Sequence, residues 1–197
     1  MRYDAEHKDR TRARILEQAA ASFRREGYRG VGIDRIMAAA RLTRGGFYAH
    51  FRSKAALFAE VLGLEADFVR RLRQARGAAP TGSPGSAAAV IRGYLAPENR
   101  ERVAAGCTLA TLTNDAARAD DAARTAYASL VEDLARELEK HVRPGDTAAR
   151  EAALEALALC VGGIGLARGI GDEALAREVL AVCADRACAA LEGRAPR

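Results

Sequence analysis

Apolar residues recur at helical spacing along nearly the whole chain, and that pattern excludes most folds. Between residues 9 and 27, Ile15, Leu16, Ala19, Ala20 and Phe23 return every three or four positions, which lays them on one helix face. Gly27 stops the pattern as a helix C-terminal glycine does. The stretch I-D-R-I-M-A-A-A, residues 33–40, makes a second, short helix with Ile33, Ile36 and Met37. Thr43 can cap a third over about 44–50, and Ser53 a fourth from Lys54 to about Arg76. Further helices are expected near 86–95, 98–105, 107–117, 120–143, 147–169 and 172–192. Val-Ile-Thr alternation of the kind that marks strands is absent. The expected fold is all-α: an amino-terminal three-helix, helix-turn-helix domain followed by a larger carboxy-terminal helical bundle.

Punctuation and charge divide the chain. The glycines and prolines of G-A-A-P-T-G-S-P-G-S, residues 77–86, read as a loop. Residues 1–76 carry 17 Lys and Arg against 9 Asp and Glu, a net of +8, whereas residues 77–197 carry 14 against 17, a net of −3. One end is therefore suited to a polyanion. The start, M-R-Y-D-A-E-H-K-D-R, has no apolar stretch behind it, so no secretory signal is expected. No segment is expected to reach the apolar length that spans a bilayer, which points to the cytoplasm and to no membrane partner. Cys107, Cys160, Cys183 and Cys188 lack C-x-x-C pairing or histidines at metal-ligand spacing, so no metal is expected. No cofactor is implied either. Gly163-x-Gly165 with Gly169 lacks the preceding strand that a dinucleotide loop needs. His7, His50 and His141 fall far apart with no nucleophile–base grouping, which argues against an enzyme.

The most informative stretch is L-T-R-G-G-F-Y-A-H-F, residues 42–51. Glycine weakens a helix by roughly 1 kcal/mol relative to alanine, so Gly45 and Gly46 imply a need for exposed backbone. Two short helices around a tight turn form a helix-turn-helix, whose second helix lies in the DNA major groove with its amino-terminal residues at base edges. Gly45 and Gly46 then remove bulk where the helix approaches DNA, flanked by the hydroxyl of Thr43 and the guanidinium of Arg44. Arginine is well shaped for guanine's two major-groove acceptors. Tyr48, His50 and Lys54 carry groups typical of phosphate contacts, while Phe47 and Phe51, four apart, read as core.

Residues 11–58 resemble the DNA-binding domain of the TetR family of bacterial transcriptional regulators. The matching strings are R-I-L-E-Q-A-A-A-S-F-R-R-E-G-Y, I-D-R-I-M-A-A-A and L-T-R-G-G-F-Y-A-H-F-R-S-K-A-A-L-F, with F-Y-x-H-F-x-S-K the most specific. The resemblance implies that Thr43, Arg44, Gly45, Tyr48, His50 and Lys54 meet double-stranded DNA at a near-palindromic operator. It further implies a homodimer, most simply a repressor, released by a small-molecule effector of unknown identity. An activator is the alternative. The expected domains are a DNA-binding domain at 1–53, a connecting helix at 54–76, and an effector-binding and dimerisation domain at 77–197. Where the family usually has a turn glycine this chain has Arg41, so the turn is either strained or reshaped. Gly32 stands where a capping hydroxyl is usual, leaving water or Asp34 as the cap.

The effector half is less legible. The last two helices, rich in small and apolar residues, are the expected dimerisation surface. A pocket is expected between the 107–117, 120–143 and 147–169 helices, with Cys107, Thr108, Thr111 and Tyr127 among its lining. Cys107 follows Gly106 at a helix start, where a thiol can become reactive, and Arg100 and Arg102 are near in sequence. A redox- or electrophile-responsive regulator acting through Cys107 is the alternative to an inert buried cysteine.

Overall fold

The computed structural model describes residues 2–64, 67–78, 84–142 and 145–193, and every regular element among them is helical. α1 (Arg2–Gly30) begins before the apolar stripe does, and Gly27, at φ 74°, breaks its regular course. α2 (Ile33–Ala39) follows, then a 3-10 segment (Arg44–Ala49) where an α-helix is expected, and α3 (Lys54–Leu62). The single helix expected from Lys54 to Arg76 is two. α3 stops at Gly63, a poor helix former, and α4 (Asp67–Ala78) is separate. The rest are α5 (Pro84–Tyr94), α6 (Pro97–Glu101), α7 (Thr108–Ala117), α8 (Asp121–Glu139), α9 (Ala149–Gly169) and α10 (Glu173–Leu191). Of the loop expected at 77–86, residues 79–83 lie outside the described residues, as does Pro144. α4 continues through Gly77, and α5 opens on Pro84, whose fixed φ suits a first helical position.

Two compact units result: Met1–Leu64 with Ala104–Ser129, and Glu65–Val103 with Leu130–Arg197. They cut across the linear division expected at 53/54 and 76/77, because α3 and α7 enter the same core as α1. In the first unit that core joins Ile15, Phe23, Ile36, Met37, Phe47, Phe51 and Phe58 to Leu112, Ala116 and Ala123. Phe23 meets Phe58 edge-on at 5.2 Å, and Tyr28 lies 4.7 Å from Phe58. Burying the Phe23 and Phe58 rings contributes roughly 1.5–3 kcal/mol each. Past Gly27, the Tyr28 N–H donates to Asp115 Oδ1 of α7 at 2.9 Å, which gives the disrupted helix end a partner.

In the second unit α9 and α10 run against each other. Ala153, Ala156, Leu157, Cys160, Ile164 and Ala167 are buried on α9, and Ala176, Leu180, Ala184, Ala187 and Leu191 on α10. Gly163 permits the closest approach: a Cβ there would come within 2.8 Å of Cys183 Cβ. By length and composition alone α9 could cross a membrane, which corrects the expectation that no segment approaches that size. The reason lies in its Leu, Ala and Gly content, one side of which packs on α10. Elsewhere in this unit the buried Glu137 carboxylate receives Lys140 at 2.9 Å, Arg76 at 3.2 Å and Arg73 at 3.4 Å. Burial pushes its pKa up, but the hydrogen bonds and charges of Lys140 and Arg76 outweigh that and hold it below the usual carboxylate value.

Candidate nucleic-acid interface

α2 ends in a tight reversal. The Leu42 N–H donates to Met37 O and the Arg41 N–H to Ala38 O, both at 2.9 Å, the paired bonds of a Schellman motif. That motif needs a left-handed residue after the helix, and Arg41 supplies it at φ 54°. Of the two possibilities for this turn, strain is the one realised. At the front of α2, Gly32 caps with backbone alone, and Asp34 does not serve as the cap.

Thr43 is extended and leads into the 3-10 segment, where the Gly46 N–H reaches Thr43 O at 3.1 Å; its hydroxyl makes no capping bond. Phe47 and Phe51 are buried and fasten the segment to the core. Tyr48 is 60% exposed, with its ring edge-on to Phe47 at 5.2 Å. A Cβ on Gly45 would meet nothing within 4 Å, and one on Gly46 would make ordinary contact with Met37 Cε at 3.7 Å. Neither glycine has positive φ. No conformation or internal contact of the described residues therefore requires Gly45 to be a glycine.

Arg44 stands outward, its side chain 64% exposed, and its Nη1 donates to Asp34 Oδ2 at 2.8 Å. His50 is half-buried, and among the described residues its Nδ1 is enclosed without a hydrogen-bond partner. Burial, then the charges of Lys8 and Arg12 on α1, lower its pKa. The ring thus offers a neutral hydrogen-bonding group near pH 7. Arg12 lies 4.7 Å over the Phe51 ring and pairs with Glu60, so its guanidinium helps fix the loop after the segment. Lys54 opens α3, and Ser53 Oγ accepts the Ala56 N–H at 3.0 Å as the expected cap. The Lys54 ammonium sits 4.3 Å from the Tyr28 ring centroid, its pKa lowered by burial against the opposing charge of Asp115.

Residues 15–61, which contain α2, the 3-10 segment and the start of α3, match the family model for bacterial regulatory proteins of the tetR family. Over that span the chain resembles tetR-family regulators. It is 50% identical over 52 residues to the HTH-type transcriptional repressor SCO4008 of Streptomyces coelicolor, a match covering 26% of this chain and 27% of that protein. Its fold resembles a TetR-family regulator from Cytophaga hutchinsonii, with TM-score 0.74 and 24% identity over 96% of this chain and 98% of the other. It also resembles the reduced form of E. coli NemR, with TM-score 0.75 and 18% identity over 90% and 94% of the two chains.

The four residues expected to line a pocket all fall in the first unit. Cys107 is half-buried at the N-cap of α7, Thr108 is buried, and Thr111 Oγ1 donates back to Cys107 O at 2.9 Å. Tyr127 Oη is bonded to Thr113 Oγ1 at 2.9 Å and to Leu109 O at 3.3 Å. Burial raises the Tyr127 pKa. The cation beside Cys107 is Arg24, which donates to Ala104 O at 2.7 Å and to Thr108 Oγ1 at 3.3 Å. Arg24 is the residue that sequence reasoning missed, because α1 and α7 are remote in sequence. Arg100 instead bonds Glu173 and the Ile170 carbonyl in the second unit. Among the described residues no three His, Cys, Asp or Glu side chains gather as a metal site requires.

Proposed function

We propose that this protein is a sequence-specific DNA-binding transcriptional regulator, a homodimeric repressor that leaves a near-palindromic operator when a small-molecule effector binds. The observation that carries the reading is the 3-10 segment itself: anchored by Phe47 and Phe51, it presents Gly45, Arg44 and Tyr48 to solvent. Gly45 has no internal reason to lack a side chain, which is what close approach to a duplex requires. In this reading Arg44 reads a base edge beside the Thr43 hydroxyl, Gly45 and Gly46 let the segment come close to DNA, and Tyr48, His50 and Lys54 position it on phosphates. Lys54 and His50, each held partly within the fold, act by hydrogen bonding and local field more than as free cations.

Dimerisation through α9 and α10 is supported by their outer faces. Among the described residues the large exposed hydrophobics are Tyr48 and four on these two helices: Leu154, Leu166, Leu175 and Val182. Gly162, Gly165 and Gly169 are open on the α9 surface, where a second copy could approach closely. Helix-turn-helix dimers read half-sites about 34–36 Å apart. An effector acts only through its different affinity for DNA-compatible and incompatible spacings. We assign effector binding and dimerisation to 77–197, with α7 also packing against the DNA-binding residues 1–53, and the connection to 54–76, in a non-enzymatic cytoplasmic protein.

Selecting duplexes from a random library with the full chain tests this reading. A selected operator is expected to be two-fold symmetric, and Arg44→Ala to relax preference at one base pair per half-site at a cost of about 1–3 kcal/mol. Equal losses on operator and scrambled DNA would refute the assignment. One observation favours a second reading, electrophile response through Cys107: the half-buried thiol lies next to the residues that Arg24 bonds. Operator release by quinones that persists in Cys107→Ser excludes it.

A further inference from the structure

Asp34 lies in the first turn of α2, where a carboxylate ordinarily serves the helix start, yet it makes no cap. Instead its Oδ2 accepts Arg44 Nη1 at 2.8 Å, joining α2 to the first residue of the 3-10 segment. Both side chains are largely in solvent, 65% exposed for Asp34 and 64% for Arg44. An ion pair that open contributes little to folding. What it does fix is direction. A guanidinium carries five N–H donors in a rigid plane, so one bond to Asp34 leaves enough donors for a two-pronged contact while restricting where the plane points.

Resting on the reading of Arg44 as the base-contacting residue, we propose that Asp34 is a positioning residue for sequence recognition, holding the Arg44 fork in a preset orientation toward the groove. Holding the side chain in advance lowers the ordering cost of recognition. The same carboxylate places a negative charge on the face that meets phosphates, which weakens binding to every duplex alike. The charge effect is common to every duplex and cancels in the operator-to-scrambled ratio, so a fall in that ratio reports positioning, which a purely structural role does not produce.

The test uses the full chain, a selected operator duplex and a scrambled duplex of equal length, with affinities measured at one salt concentration for wild type, Asp34→Asn, Arg44→Ala and the double variant. Asp34→Asn is expected to hold or raise affinity for the scrambled duplex. It should lower the operator-to-scrambled ratio about three- to tenfold, part of the roughly 5- to 150-fold discrimination of a bidentate arginine–guanine contact. In the Arg44→Ala background the same change should move the ratio by less than about twofold, because the residue it positions is gone. An unchanged ratio in Asp34→Asn overturns the proposal while leaving the role of Arg44 intact. A raised ratio overturns it by showing that Asp34 competes with the base, and an equal effect with and without Arg44 overturns it as well. A wild-type ratio near one, or an Arg44→Ala ratio equal to wild type, overturns this inference together with the reading beneath it.

Discussion

Replacing Gly163 by alanine sets two known quantities against each other. Alanine favours the interior of α9 by about 1 kcal/mol over glycine. The added Cβ would lie 2.8 Å from Cys183 Cβ, 2.9 Å from its Sγ and 3.2 Å from Leu95 Cδ2. Carbon atoms pack best at about 3.5–4.0 Å. Cys183 Cβ is fixed to the α10 backbone and has no rotamer to escape into, so the helices must part. Overpacking of this kind costs about 1–3 kcal/mol, and the net expectation is a loss of about 1 kcal/mol. For a chain of this length each kcal/mol shifts Tm by about 2–4 °C. Gly93→Ala is the control, since Gly93 is helical and open on its Cβ side and gains helix propensity without the clash. The assay is chemical and thermal denaturation at one protein concentration, followed by circular dichroism. A second substitution locates the strain. In the Gly163→Ala background, Cys183→Gly removes both close atoms and, after subtracting the helix cost of roughly 1 kcal/mol that the same two Cys183 variants show in the Gly163 background, should restore stability further than Cys183→Ala, which leaves the Cβ in place. A Gly163→Ala protein that melts at or above wild type, or one that Cys183→Ala rescues as fully as Cys183→Gly, refutes the packing argument.

Arg41→Gly should stabilise the fold. The left-handed backbone at φ 54° costs a side-chain-bearing residue about 1–2 kcal/mol, offset in part by the greater freedom of glycine in the unfolded chain. A gain of up to about 1 kcal/mol in denaturant midpoint is expected, and a loss would show that the Arg41 side chain contributes more than its backbone costs. The buried His141 predicts a pH effect: burial, only partly opposed by the Glu137 charge, lowers its pKa. As pH falls past its unfolded value near 6.5, the unfolded chain takes up the proton first, so stability declines with acidification from about pH 7 downward. His141→Gln should flatten that decline, as read by midpoints measured between pH 7.5 and 5, and an equal or steeper decline contradicts it. Glu137, whose pKa is lowered, loses its contribution only below its unfolded value near 4.3, outside that range.

Local chemistry was legible and tertiary partnership was not. Ser53 caps α3 and Gly27 interrupts α1 because each depends on a few neighbouring residues. Gly63 carried a readable stop signal within the expected 54–76 helix. The start of α1 at Arg2 was missed because residues 2–8 have no apolar periodicity of their own. Within the site, the outward Tyr48 and the inward Phe47 and Phe51 agree with their spacing. The bond from Arg44 to Asp34, the seat of Lys54 on Tyr28 and the enclosure of His50 all depend on which elements pack together, and no local pattern encodes that.

Asp115, Leu112 and Ala116 make α7 a structural member of the first unit, in whose core Phe47 and Phe51 sit. A fragment cut after Leu64 would lose one wall of its interior and leave the Tyr28 amide without its acceptor. If the 3-10 segment meets DNA as proposed, a compound lodging against α7 would press on the same packed interior that seats Phe47 and be felt at that surface through side-chain displacement alone.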